Sequence, residues 1–215
     1  MILKNLYETN RTRLIRNLKS RVGEISNSVI LIKGSHTFSE HDSDTYYTMP
    51  KYEINFMYLF GVRRMEVHGL IDLSDSKAYL IIPDSKLPDD FIEKRVEGSE
   101  AECYGIEKVL TRSELIEFLR QKELNKIYVN YGVDRYTKIE ANTFNDSAIL
   151  DPFKSKIDYD TLYPILNNTR TIKSDTEIEF MKDICAISSK GHEYVMQNCK
   201  VGMTEYQISA LFWVC

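Results

Sequence analysis

The sequence predicts an α/β fold, a mixed β-sheet covered by helices, and three observations predict it. Two short apolar runs, "SVILIKG" (residues 28–34) and "KIYVNY" (126–131), have the length and β-branched content of strands buried on both faces. Stretches with apolar residues at three- and four-residue spacing alternate with them. The segment "EVHGLIDLSDSKAYLIIP" (66–83) reads as two strands joined by a polar turn at 74–76, which places a hairpin at the centre of the sheet.

In chain order, residues 5–22 predict a helix, with Leu6, Leu14, Ile15 and Leu18 on one face and arginines and lysines opposite. The buried strand at 28–34 ends on Gly34. "SHTFSEHDSD" is a polar loop. "YEINFMYLFGV" (52–62) is aromatic and β-prone, and is expected as a strand. After the hairpin, "RSELIEFLRQKEL" is an amphipathic helix with Thr111 or Ser113 as its cap. "DYDTLYPILNN" is a short helix.

The tail is the most regular part. Ser174 and Glu177 form an S-x-x-E capping box. Ile178, Met181, Cys185, Ser188, His192, Val195 and Cys199 then recur at helical steps. Gly202 supplies a left-handed stop. Thr204 and Gln207 make a second box, and Ile208, Leu211, Phe212 and Cys215 begin a stripe with no C-cap. A helix end leaves carbonyls in need of partners, so the sequence predicts a polypeptide truncated inside a helix. The expected domains are 1–168 and 169–215.

At 215 residues, with 43% hydrophobic and 28% charged residues, the chain is globular and long enough to bury a core. A net charge of −4 implies neither a nucleic-acid nor a membrane partner. The first nineteen residues contain no unbroken apolar run of the signal-peptide kind, and no stretch has the length of a membrane span. The four cysteines include no C-x-x-C. Cys185 and Cys199 lie on one helix about 21 Å apart at 1.5 Å per residue, too far to bridge. Reduced thiols in the cytoplasm are the simplest reading. The sequons at Asn10, Asn145 and Asn167 read as chance.

Candidate chemistry is sparse. His36, Glu40, His41, Asp42 and Asp44 cluster in one loop, but their spacing matches no helical ligand pair and no zinc finger, so a solvated loop is preferred over a metal site. His192 has no carboxylate or cysteine at i±3 or i±4, and reads as a packed histidine on the apolar stripe. The 14 tyrosines read as packing rather than as a peptide groove. No glycine-rich phosphate loop, G-x-S-x-G or H-E-x-x-H is present. The residues alone assign no catalytic, cofactor-binding or metal-ligating position.

"RTIKSDTEIEFMKDICAISSKGHEYVMQNCKVGMTEYQISALF" resembles the start of the catalytic domain in the prolidase and aminopeptidase P family. The matching positions are Arg170, Lys173, Ser174, Glu177, Glu179, His192, Val195, Met196, Gly202, Met203 and Glu205. Upstream, "FMYLFGV" resembles the family's Phe-x-Tyr-Leu-x-Gly strand, and "HGLIDLSDSKAYLIIP" its Gly-x-Ile-Asp hairpin. The resemblance implies a creatinase-like N-terminal α/β domain followed by the opening helices of a pita-bread catalytic domain.

It also implies a function: a metal-dependent Xaa-Pro dipeptidase that cleaves the bond before a C-terminal proline, as a homodimer with two Mn2+ ions. The family's ligands, two aspartates, a histidine and two glutamates, lie beyond Cys215, so none is carried over. The 215-residue chain is expected to be inactive by itself and to shape the substrate entrance and the dimer. "PDSKLPDDFIEKRVEGSEAE" lacks the Trp-x-Gly that family members often carry there. The alternative is a catalytically dead homologue that binds proteins or histones.

Overall fold

The computed structural model describes residues 2–34, 52–64, 66–84, 101–133, 136, 138, 140 and 143–214. They divide into two compact units, Met1–Ile172 and Lys173–Cys215.

In the first unit, helix α1 (Ile2–Val22) buries Leu6, Leu14 and Leu18 on the face its spacing predicts. Strand β1 (Ser28–Ile32) is buried at all five positions. It lies inside a six-stranded sheet of order β4-β3-β2-β1-β5-β6. The strands are β2 (His68–Asp72), β3 (Ala78–Ile82), β4 (Lys108–Thr111), β5 (Lys126–Val129) and β6 (Ile157–Asp158). β2 pairs antiparallel with both β1 and β3. The β1–β5, β3–β4 and β5–β6 pairs are parallel. The expected mixed sheet is therefore one reversed strand set among parallel ones.

Alternation along β1 explains why its sequence is continuously apolar. Ile30 and Ile32 enter a core with Leu14, Leu18, Phe56, Phe60, Tyr128 and Leu166, on the side of α1, α2 (Ile54–Phe60) and α5 (Leu162–Thr171). Val29 and Leu31 enter the opposite core with Leu70, Ile127, Leu115 and Phe144, on the side of α3 (Arg112–Gln121) and α4 (Ser147–Leu150). A strand covered on both faces has no polar side to show.

The aromatic segment at 52–62 is a helix, α2, where a strand was expected. Asn55, Phe56, Leu59 and Phe60 are its buried residues, a helical spacing that β propensity masks. Glu53 caps the helix by accepting from the Phe56 N–H at 2.5 Å. Gly61 ends it at φ 71°, donating to the Met57 carbonyl, a left-handed conformation that glycine adopts without strain. The Phe56 and Phe60 rings stack at 5.1 Å, the i,i+4 contact of a helix face. Local capping and burial thus outweigh propensity.

The hairpin forms as expected. Asp72 accepts from the Ser74 N–H and Asp75 from the Lys77 N–H, and these aspartate turns close the connection between β2 and β3. Thr111, not Ser113, caps α3, in a capping box with Glu114. Ser113 instead donates through its backbone N–H and its hydroxyl to Asp84. β4 and β6 were not expected from sequence. They have only four and two residues, too short to display a period. α5 runs through Asn168 to Thr171.

The second unit is a helical hairpin, α6 (Asp175–Asn198) and α7 (Glu205–Val214). Both capping boxes read from the sequence are formed. Ser174 N–H donates to Glu177 Oε2 at 2.7 Å, and Glu177 N–H to Ser174 Oγ at 3.3 Å. Thr204 and Gln207 exchange the same pair of bonds at 3.0 and 3.4 Å. Gly202, at φ 93°, turns the chain between the helices. Gly191 is the buried residue of α6, beneath the Phe212 ring.

Candidate functional site

The loop carrying His36, Glu40, His41, Asp42 and Asp44 lies outside the described residues. Among the described residues, no group of three or more His, Cys, Asp or Glu side chains could hold a metal ion. No helix among them is long and apolar enough to cross a membrane.

The motif residues of the tail fall into structural roles. Ser174 and Glu177 are the two halves of the α6 cap. Gly202 is the turn, and Met203 Sδ accepts from the Lys200 N–H at 3.4 Å. The His192 ring lies 5.0 Å from the Phe212 ring, a packing contact between α6 and α7. His192 is nonetheless an exposed residue in this chain, not the buried one its stripe suggests. Cys185 and Cys199 are exposed free thiols.

Arg170, in the last turn of α5, reaches across the first unit. Its Nη1 donates to Asn55 Oδ1 at 2.9 Å, and its guanidinium lies 5.9 Å from the centre of the Tyr58 ring. Asn55 Nδ2 in turn donates to Glu53 Oε1 at 3.1 Å. Burial pushes the Glu53 carboxyl above its ordinary range, opposed by hydrogen bonds from Phe56 and Asn55 and by the charge of Arg170. Two further bonds tie the same stretch down: Asn17 Nδ2 to Thr169 Oγ1 at 2.9 Å and Arg13 Nη2 to the Ile172 carbonyl at 2.5 Å. The motif arginine is thus a fastener between α2 and α5.

Arg11, on α1, is the most deeply embedded cation among the described residues, 3% exposed. It donates to the carbonyls of Leu59, Tyr104 and Gly105 at 2.8, 3.0 and 2.7 Å. Burial pushes its guanidinium down to about 10. Arg11 lines a groove of about 620 Å³ with Lys4, Glu8, Lys77, Glu102 and Glu107. Lys77 and Glu107 pair across it at 2.8 Å, so its charges largely balance one another. No nucleophile, general base and orienting group converge there in the pattern that acyl transfer requires.

Sequence reading missed Arg11, Asn55 and Asn130 as buried polar residues. Arg11 is bonded to residues 48, 93 and 94 positions away, which no local window can reveal. Glu53 was findable, since an acidic residue before an apolar run at helical spacing is a cap signal.

No family model matches the chain. Curated relatives do. The chain is 26% identical over 211 residues to the Xaa-Pro dipeptidase of Mus musculus and 26% identical over 212 residues to that of Homo sapiens. Each match covers 96% of this chain and 42% of the relative, so the chain spans less than half the length of the relatives it matches. Among solved structures, Escherichia coli aminopeptidase P with the inhibitor Pro-Leu superposes with a TM-score of 0.70 at 20% identity, covering 97% of this chain and 48% of that one. Aminopeptidase P II from Yersinia pestis superposes with a TM-score of 0.67 at 19% identity, over 97% of this chain and 48% of its own. These two show the fold: a six-stranded mixed sheet covered by helices. In sequence and in fold, the chain resembles the N-terminal portion of the prolidase and aminopeptidase P family.

Proposed function

We propose that this chain is the N-terminal portion of a metal-dependent Xaa-Pro dipeptidase, the part that shapes the substrate entrance and the subunit contact. The observation that supports this reading is coverage: similarity to Xaa-Pro dipeptidases runs along 96% of the chain but 42% of the mouse enzyme. The groups that perform the reaction then belong to the remainder. On this reading the intact protein is a cytoplasmic homodimer, and residues 169–215 open its catalytic domain.

The bond before proline is a tertiary amide without an N–H, so a site that grips a peptide through that hydrogen cannot hold it. A bound metal pair supplies polarisation of the carbonyl and a nucleophile at neutral pH, and Mn2+ suits an oxygen-rich ligand set. The described residues of this chain do not fit such a pair. Their contribution is scaffolding: the sheet, the Arg170 fastener and the two capped helices. By itself the 215-residue chain should not hydrolyse Xaa-Pro dipeptides.

The second reading, a catalytically dead relative that binds proteins or histones, is favoured by one observation: residues 83–102 contain no tryptophan. Reading the coding sequence downstream of Cys215 separates the two. Two aspartates, a histidine and two glutamates in frame, with Mn2+-dependent hydrolysis of Gly-Pro by the extended protein, support the peptidase. Loss of two or more of those ligands favours the binding module. A stop codon directly after Cys215 sinks the view of this chain as part of a peptidase.

A further inference from the structure

Asn130 lies one residue past the last paired position of β5, Leu31↔Val129, at the carboxyl edge of the parallel strands. Its side chain is 1% exposed, and neither Oδ1 nor Nδ2 has a hydrogen-bond partner. Buried carboxamides are almost always satisfied, so one with both ends open calls for a partner such as an ordered water, or for a functional role. The backbone there is held, since Thr143 Oγ1 donates to the Asn130 carbonyl at 2.9 Å. Alternation puts Asn130 on the same face as Tyr128, which packs in the α1–α2–α5 core. Two residues on, a Cβ at Gly132 would fall 2.3 Å from the Tyr163 ring, so the first turn of α5 closes directly over this strand end. Thr161, directly before that helix, makes no capping bond with its own side chain, and the third residue of the helix, Pro164, has no N–H. The edge outside the carboxyl ends of parallel strands is where open α/β sheets receive ligands.

We propose that Asn130 anchors a polar site between the end of β5 and the start of α5, which takes a neutral group that both donates and accepts. The chemistry selects this class. A carboxylate cannot donate to Oδ1, and an ammonium or guanidinium cannot accept from Nδ2; a water molecule or an amide-bearing solute does both. An anion also meets the Asp158 carboxylate, which accepts from the Thr161 N–H and hydroxyl at the same helix start. Lys126 is already engaged with Asp158 at 3.1 Å. The site does not depend on the peptidase reading.

The test uses the full 15N-labelled chain, with water as one probe and acetamide as the other. In plain buffer, the Asn130 side-chain amide protons should show cross-relaxation with a long-lived water. Rising acetamide should shift the Tyr131 and Gly132 amides to saturation, and the Asn130→Leu variant should lose that shift. A water signal without a saturable shift assigns the site to water. A saturable shift that displaces the water signal assigns it to amide-bearing solutes. Absence of both in the wild-type chain overturns the proposal, as does an undiminished acetamide shift in Asn130→Leu. The wild-type measurement stands if the variant fails to fold.

Discussion

The two units are built from the same devices and differ in what those devices are asked to hold. The first unit carries every buried apolar side chain among the described residues, from Leu6 to Leu166. The second has equally apolar helices, yet Ile184, Ile187, Met196 and Trp213 are 64, 68, 74 and 81% exposed. Both of its helix starts are nevertheless closed by capping-box bonds. Helix boundaries are therefore set by local bonds, while stability comes from burial, and the second unit shows the first without much of the second.

The largest expected difference between the units lies in a pair of truncations. Phe60→Ala, at a fully buried position, should cost about 3–5 kcal/mol. Ile184→Ala, in α6, should stay within about 0.5 kcal/mol. Urea unfolding followed by circular dichroism measures both, and equal costs would mean that α6 is packed in solution. Next in size is Arg11→Met, which removes the guanidinium donor from the buried Leu59 carbonyl and the half-buried Tyr104 and Gly105 carbonyls, and should cost about 1–3 kcal/mol.

A smaller and more pointed test uses the shared capping box. Thr111→Ala and Ser174→Ala each remove one cap bond, worth about 1 kcal/mol. The first should lower the midpoint of global unfolding. The second should speed amide exchange in the first turn of α6 and leave that midpoint where it was. If Ser174→Ala moves the midpoint as much, the two units unfold as one.

The smallest effect is electrostatic. The bidentate Arg112–Asp146 pair, at 2.5 and 2.7 Å, holds the Asp146 carboxyl below its ordinary 3.8, chiefly through the hydrogen bonds from Arg112. The folded chain then binds fewer protons than the unfolded one just below that pH. The contribution is complete above the ordinary value and is lost as pH falls through the folded one. Arg112 is 40% exposed, so solvent screening limits it to about 0.5–1 kcal/mol. Asp146→Asn should show that loss at about pH 7, and the difference from the wild-type chain should shrink as pH falls below the ordinary carboxylate range, compared by thermal unfolding.

What the sequence made legible follows the same division. β1, the hairpin, the α3 cap and both tail capping boxes were readable because their signals are local: a run, a turn, or a residue three positions on. α2 was misread because Phe, Tyr and Ile favour strands, and only the Glu53 cap and the 55–56–59–60 spacing overrule them. The buried polar set of Arg11, Asn55 and Asn130 was illegible, since a polar residue inside a helix or at a strand end looks like surface until its distant neighbours are known.

The reversed strand in the sheet has a consequence for how the chain is made. β1 can pair with the nearby β2, but its other edge waits for β5, and Val129 lies 97 positions after Ile32. At about 5–20 residues per second, a ribosome takes roughly 5–20 s to cover that interval. Throughout it, "SVILI", the most apolar strand of the sheet, presents an unpaired edge to any other extended chain nearby. The nascent polypeptide is therefore most exposed to misassembly in mid-synthesis, and chaperones that cap open strand edges should matter most while residues 33–129 are being added.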